Sequence, residues 1–141
     1  MSSHMHIGTA ASVPGQIVYG QFDAVPLPTG GYDSFPVIIA QGKSEGPTFW
    51  ITGSIHGNEH SGLAVIHRLL GPGGTDFPLA DLRGTVVLIP TLNPAGLRAA
   101  ARAPHYNRGI DPNRTFPAVK SPNGDTHNQE GPPAALEAAY A

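Results

Sequence analysis

Apolar residues in the first two thirds of the chain form short runs that end at glycine, proline or charged residues, as the strands of a sheet do. The runs predict strands over residues 16–25, 35–41, 48–55 and 85–90. The second and third runs contain FPVIIAQ and TFWITGSI, which are almost continuously apolar. Because such runs are typical of strands buried on both faces, we expect both strands to lie inside a covered sheet.

Between the third and fourth strands the apolar pattern takes on the period of a helix. One helical face collects four residues, which are Leu63, Ile66, His67 and Leu70. Gly71 and Pro72 end the pattern, so the sequence predicts a helix over residues 59–70. A strand, a helix and a strand in this order predict a right-handed crossover between parallel strands. The predicted fold class is α/β, with a mixed, partly parallel sheet flanked by helices.

The last third of the chain has no comparable periodicity. Residues 91–123 are polar and irregular, and a loop of this length in a compact domain is usually functional or disordered. A further helix is predicted to begin at Pro132 or Pro133 and to continue to residue 141.

Composition narrows the functional classes. The chain has 141 residues, the size of one domain, and its formal net charge of -2 is too small to indicate nucleic acid or an anionic membrane as a partner. There is no cysteine, which excludes disulfides and thiolate chemistry, and no apolar run approaches the ~20 residues of a membrane span. We therefore predict a cytoplasmic location, and the composition leaves the oligomeric state open.

The candidate chemistry lies where the third predicted strand ends. His56 and Glu59 follow that strand, and ligands of α/β sheets gather at the C-terminal ends of strands. A loop that turns into a helix brings these two side chains to the same side, and both residue types bind zinc. The pair therefore predicts part of a metal site. The alternative is a loop histidine next to a glutamate that favours the helix dipole.

A second interpretation uses the letters HGNEH, in which His56 and His60 would both bind zinc and Glu59 would be the base. That pattern needs both histidines on one continuous helix. The residues before His56 favour a strand and Gly57 follows it, so we expect His56 to precede the helix. His60 is then expected behind the ligands or on the surface, and His67 is expected to be a half-buried helix residue.

A second polar cluster occupies residues 92–117, which begin at the end of the fourth predicted strand. It contains three arginines, Arg102, Arg108 and Arg114, whose planar guanidinium groups suit carboxylates. Asn113 adds an amide donor, and Asp111 is placed to orient one of these groups by a hydrogen bond. We expect this loop to face the same crevice as His56.

Three segments in this order, GPTFWITGSIHGNEHSG, IPTLNPAGL and DPNRTFP, resemble the succinylglutamate desuccinylase/aspartoacylase family of the zinc carboxypeptidase clan. The resemblance covers about residues 36–117. It implies that His56 and Glu59 are the first two zinc ligands and that Asn113 and Arg114 bind the carboxylate of the substrate. Arg102, nine residues after Asn93, corresponds to the arginine that polarises the scissile carbonyl. Arg108 is the competing choice and is also expected to bind substrate.

Family members are considerably longer than this chain. Their third zinc ligand is a later histidine and their general base a later glutamate; His127, Glu130 and Glu137 are not convincing matches. The resemblance therefore implies that residues 1–141 are the N-terminal portion of one zinc-hydrolase catalytic domain, truncated at the C-terminus, with residues 1–15 flexible.

The implied activity is zinc-dependent hydrolysis of an amide bond adjacent to a carboxylate. The expected substrate is a small molecule with a free carboxylate, an N-acyl amino acid above all, and the chain alone is expected to be inactive. The alternatives are a zinc carboxypeptidase acting on peptides or peptidoglycan stems, and a domain that keeps the fold without catalysis.

Overall fold

A computed structural model describes residues 4–108 and 110–116. Its strands are β1 (His6–Ile7), β2 (Ala10–Ala11), β3 (Gln16–Pro26), β4 (Tyr32–Gln41), β5 (Ser44–Thr52) and β6 (Arg83–Ile89). Its helices are α1 (Ser61–Leu70) and α2 (Pro94–Ala99), with single 3-10 turns at Pro72–Gly74, Leu79–Asp81, His105–Asn107 and Pro112–Arg114. Strand β5 is followed by α1 and then by β6, which is the order that the apolar pattern predicts.

The main sheet has the order β3-β4-β6-β5. Strand β4 pairs antiparallel with β3 and with β6, whereas β5 and β6 are parallel neighbours. Helix α1 connects these two parallel strands, so the predicted strand–helix–strand unit is confirmed. The sheet is mixed and partly parallel, which confirms the predicted fold class.

Both faces of β4 are buried. On one face Ile38 packs with Leu88 against Ile66 and Leu70 of α1. On the other face Val37, Ile39 and Val87 pack with Ala10 of the β1–β2 hairpin. The burial predicted for FPVIIAQ is confirmed from Val37 to Gln41. The loop that follows β5 and carries His56 is thus attached to a sheet whose centre is firmly packed.

The burial predicted for the third strand is not found within residues 4–108 and 110–116. Strand β5 lies at the edge of the main sheet, and the side chains of Phe49 and Trp50 are 63% and 50% exposed. The strand also begins at Ser44 and ends at Thr52, three residues before the predicted end. Its apolar composition resembles that of a central strand, but within the described residues β6 is its only neighbour in the sheet.

Two further predictions concern the ends of the described chain. In the segment expected to be flexible, His6–Ile7 and Ala10–Ala11 form a hairpin, and Met5, Ile7 and Ala10 belong to a core cluster; the expected flexibility of residues 1–15 stays a prediction. The irregular region after residue 91 contains α2, which starts where the Asn93 side chain accepts a hydrogen bond from the backbone N–H of Gly96 at 2.8 Å. The helix predicted from Pro132 or Pro133 lies outside the described residues, as does the loop beyond residue 116. No helix in the described ranges is long and apolar enough to cross a membrane.

Candidate metal and substrate site

The loop between β5 and α1 carries the residues that the sequence singles out. Helix α1 starts at Ser61, with His60 at its N-cap, so His56 precedes the helix as predicted. The interpretation of HGNEH as a two-histidine zinc motif therefore fails, because His56 and His60 do not share a helix. The His60 ring instead bonds the carbonyl oxygen of Gly57 at 3.0 Å. His67 is exposed rather than half-buried, which corrects that expectation.

This loop keeps its shape through close backbone approach. A Cβ atom on Gly57 would overlap the backbone of Gly96 and Leu97 in α2, so only glycine fits where these two segments meet. Ser54 has a left-handed backbone with φ of 45°, and its hydroxyl donates to the carbonyl oxygen of Glu59 at 2.8 Å. Glu59 is thereby fixed relative to the end of β5. Asn58 is exposed and lies before the N-cap residue His60.

Asn93 connects this loop to the next one. Its side chain is buried, and its amide Nδ2 donates to the carbonyl oxygens of Ile55 at 3.2 Å and Arg102 at 3.0 Å. The side chain of Asn93 therefore bonds the backbone of both loops that flank the site. In the sequence Asn93 was only the reference position for Arg102. Its place shortly after a strand is the signal that could have indicated this bonding role.

Four side chains meet at the centre of the site, and we call them the polar cluster: His56, Glu59, Arg102 and Asp111. His56 is only 4% exposed; its Nδ1 lies 2.9 Å from Glu59 Oε1, and its Nε2 lies 2.8 Å from Asp111 Oδ1. Arg102 donates from Nε and Nη2 to Asp111 Oδ2, at 3.2 and 3.0 Å, and from Nη1 to Glu59 Oε1 at 3.3 Å. The structure thus brings together both predicted metal ligands and the predicted catalytic arginine.

Asp111 is a carboxylate at neutral pH. Desolvation by burial raises its pKa, but the hydrogen bonds to His56, to the backbone N–H of Asn113 and to Arg102, with the charge of Arg102, together hold that pKa well below its usual range. The contact with Arg102 matches the orienting role suggested for Asp111. The contact with His56 was not predicted.

His56 and Glu59 fit two positions of a zinc site. His56 Nδ1 and Glu59 Oε1 converge on one point, and both atom types are zinc donors. The opposite ring nitrogen faces the Asp111 carboxylate, as the second nitrogen of zinc-bound histidines usually does, so that both nitrogens of the ring contact a carboxylate here. Residues 4–108 and 110–116 contain no group of three His, Cys, Asp or Glu side chains placed to hold a metal ion. A catalytic zinc takes three protein ligands, so these residues fit the metal in part.

The predicted substrate residues are placed less closely together. Asn113 lines a cavity of about 380 Å³, which Glu59 and Ser54 also line. Arg114 is exposed, and its Nη1 donates to the backbone oxygen of Asn113 at 3.3 Å. Arg108 is exposed as well, and in the described part of the chain neither guanidinium bonds a residue of the polar cluster, although the backbone N–H of Arg114 donates to the backbone oxygen of Asp111 at 2.9 Å.

A second network lies behind the site and was not predicted. The Asp33 side chain on β4 is 0% exposed and accepts hydrogen bonds from Arg98 of α2 and from the Tyr106 hydroxyl, the latter at 2.7 Å. These bonds attach α2 and the 3-10 turn His105–Asn107 to the sheet. The segment between these two attachments contains Arg102.

A known family matches more than half of this chain. Residues 45–134 match the family described as the succinylglutamate desuccinylase/aspartoacylase catalytic domain. The N-alpha-acetyl-L-2,4-diaminobutyric acid deacetylase of Halomonas elongata is 30% identical over 82 residues, which are 58% of this chain and 22% of the deacetylase.

Solved structures agree with the fold. An aspartoacylase family protein from Mesorhizobium loti has a TM-score of 0.61 and 27% identity, over 84% of this chain and 34% of that one. A product-bound ectoine utilization protein from Ruegeria pomeroyi has a TM-score of 0.60 and 24% identity, over 82% of this chain and 35% of that one. The chain therefore spans about a third of these structures and about a fifth of the curated deacetylase.

Proposed function

The chain belongs to the succinylglutamate desuccinylase/aspartoacylase family, and we propose that it carries part of a zinc-dependent active site that cleaves an amide bond adjacent to a carboxylate. The observation that supports this most is the convergence of His56 Nδ1 and Glu59 Oε1, 2.9 Å apart, with Asp111 behind the histidine ring. The family contains deacylating hydrolases, and the named deacetylase relative supports an N-acyl amino acid as substrate.

In this proposal His56 and Glu59 hold zinc, which when bound lowers the pKa of a water and polarises the carbonyl group. With zinc bound, Asp111 would position His56 by accepting from Nε2–H and so restrain the ring, which would leave the Nδ1 lone pair to hold the metal. The buried position of the His56 ring limits competing contacts with water. Because catalytic zinc takes three protein ligands, we also propose that the chain alone hydrolyses N-acyl amino acids little or not at all, which an assay with added zinc checks.

Arg102 is proposed to stabilise the oxyanion that forms when the amide carbonyl is attacked. Its guanidinium has five N–H donors, of which two point at Asp111 and one at Glu59. The side chain is 51% exposed, so its other donors can reach a substrate in the cleft beside Glu59. Asp111 therefore orients both the histidine and the arginine of the polar cluster.

Asn113 and Arg114 are proposed to bind the free carboxylate of the substrate, with Arg108 as a further cation on the same loop. Asn113 lines the cavity that Glu59 also lines, which brings a carboxylate held there close to the metal pair. Arginine suits this role because two parallel N–H groups match the two carboxylate oxygens. A carboxypeptidase acting on peptides uses the same groups and stays the alternative, and the cytoplasmic location stays a prediction.

Zinc titration of the whole chain by calorimetry tests the metal assignment. With two described protein ligands we expect weak zinc binding. His56→Ala should lower the zinc affinity by tenfold or more, because a lost ligand should matter at least as much as a lost group behind a ligand, which costs about 10–100-fold in affinity. His67→Ala is the matched control, because that ring is exposed on α1, and His60→Ala tests the two-histidine motif. Both should leave zinc affinity unchanged. Zinc binding that stays tight in His56→Ala would refute the assignment of His56 as a metal ligand.

A further inference from the structure

A second cavity opens beside the cavity that contains Glu59 and Asn113. It has a volume of about 270 Å³, and its wall includes Phe35, Pro104, Tyr106 and Pro112. We call it the apolar cavity. Three residues line both cavities, namely Ile55, Leu92 and Phe116. The two spaces are therefore neighbours with a shared wall, one polar and one apolar.

The chemistry of the two cavities differs sharply. None of the residues that line the apolar cavity is charged, whereas Glu59 lines the polar one. Placing a carboxylate in an uncharged space without hydrogen bonds is unfavourable, while apolar groups gain from leaving water there. The apolar end of a substrate is thus favoured in the apolar cavity, and its charged end is disfavoured there.

The apolar cavity is held open by the fold. The hydroxyl of Tyr106 donates to Asp33, whose carboxylate is fully buried on β4, so the aromatic ring in the wall is fixed to the sheet. Pro104 and Pro112 restrict the backbone on either side. A binding space that exists before the ligand arrives does not have to be ordered on binding.

From these observations we infer that the apolar cavity binds the acyl group of the substrate, and that this group is larger than acetyl. The inference rests on the proposed function: with the carboxylate held near Asn113 and the amide near Glu59, the acyl chain extends along Ile55 and Phe116, which line both cavities. A dry apolar cavity of about 150 Å³ is enough for benzene. The space of about 270 Å³ therefore takes a six-carbon acyl chain or an aromatic acyl group.

The expected signature is a dependence of affinity on acyl length. Each methylene that leaves water contributes about a fourfold gain in affinity, as long as the cavity still has room. N-hexanoylglycine has four more methylenes than N-acetylglycine, and we expect it to bind at least ~tenfold more tightly, since the cavity is open on one side and burial is incomplete.

The experiment measures dissociation constants of N-acetyl-, N-butanoyl- and N-hexanoylglycine for the whole chain with zinc present, by NMR titration. Phe35→Ala removes an aromatic wall and should flatten the dependence on acyl length. Phe116→Ala is a second variant at the rim; its ring is 52% exposed, so folding should tolerate the change. Phe49→Ala on β5, which lines neither cavity, is the matched control and should keep the wild-type dependence.

Equal affinity for the acetyl and hexanoyl compounds would overturn the acyl cavity and leave the proposed function standing. The cavity is also overturned if N-hexanoylglycine binds more tightly but both Phe35→Ala and Phe116→Ala keep the full dependence. If no N-acylglycine binds at all, the proposed substrate class fails and the acyl cavity fails with it. These three results are distinguishable in one titration series.

Discussion

Asp33 and Asp111 each accept hydrogen bonds from an arginine, yet they lie in very different surroundings. The Asp33 side chain is 0% exposed and that of Asp111 is 23% exposed. Asp33 binds Arg98 and Tyr106, which belong to segments that must be attached to the sheet. Asp111 binds Arg102 and His56, both of which also reach toward Glu59.

The difference separates a role in the fold from a role in the site. The two groups that bond Asp33 do not belong to the polar cluster. The Arg98 side chain is 62% exposed at the surface, and Tyr106 is part of the wall of the apolar cavity. Around Asp111 both partners also contact Glu59, through Nδ1 of His56 and Nη1 of Arg102. One aspartate–arginine pair therefore supports the fold, and the other joins the residues that we propose as metal ligands and catalytic arginine.

The largest expected effect is on stability, at Asp33. Asp33→Ala removes two hydrogen bonds to a buried carboxylate and should lower the free energy of unfolding by about 2–3 kcal/mol. Bonds to charged groups are worth up to about 3 kcal/mol each, but the exposed Arg98 recovers water as a partner, so the sum is smaller. Thermal denaturation should show a Tm lower by roughly 10 °C.

Asp81→Ala is the control for this change, since Asp81 is exposed in a 3-10 turn, and its effect should stay within about 0.5 kcal/mol. If both variants lose the same stability, the network around Asp33 does not hold the loops to the sheet.

The next effect concerns metal affinity at Asp111. Asp111→Ala frees Nε2 of His56 and should weaken zinc binding about 10–100-fold, the usual consequence of losing a carboxylate behind a metal ligand. Asp111→Asn should lose less, because its amide oxygen still accepts from Nε2–H. Zinc titration and thermal denaturation of the same samples provide the two readouts.

The comparison becomes sharper when both aspartates are changed to asparagine. Asp33→Asn should lower Tm with zinc affinity unchanged, and Asp111→Asn should do the reverse. A large loss of zinc affinity in Asp33→Asn would mean that the two networks act as one.

The fold was predictable where burial and hydrophobicity agree. FPVIIAQ lies at the centre of the sheet and the face of α1 that includes Ile66 and Leu70 is buried, so their patterns were informative. Strand β5 was predicted to be buried, whereas Phe49 and Trp50 are exposed among the described residues. Helix α2 was missed because its six residues are too few for a periodic pattern, and its start depends on the Asn93 cap.

The site was predictable where its parts are close in sequence. His56 and Glu59 are three residues apart, and a loop entering a helix brings them together. The contact between His56 and Asp111 spans 55 residues and the one between Asp33 and Tyr106 spans 73, so both depend on the packed fold. The role of Arg102 was implied by the family resemblance and stays a prediction, and in the structure Asn93 donates to its backbone oxygen.

The smallest expected effect concerns an arginine that neither aspartate holds. In the described residues the Arg114 guanidinium donates only to the backbone of Asn113, so it stays available for a substrate carboxylate. A charge-assisted hydrogen bond contributes about 1.5–3 kcal/mol, and the exposure of Arg114 favours the lower end. Arg114→Ala should therefore weaken binding of an N-acyl amino acid about tenfold while barely affecting its neutral amide. Arg114→Lys should recover only part of the loss, because an ammonium lacks the planar pair of donors.

Arg68→Ala, which changes an exposed arginine on α1, controls for the loss of one positive charge. NMR titration of acid and amide with each variant decides the matter. Equal losses for acid and amide in Arg114→Ala would leave Arg114 as a loop residue outside the site, since a carboxylate-binding group must distinguish a charged ligand from a neutral one of the same shape.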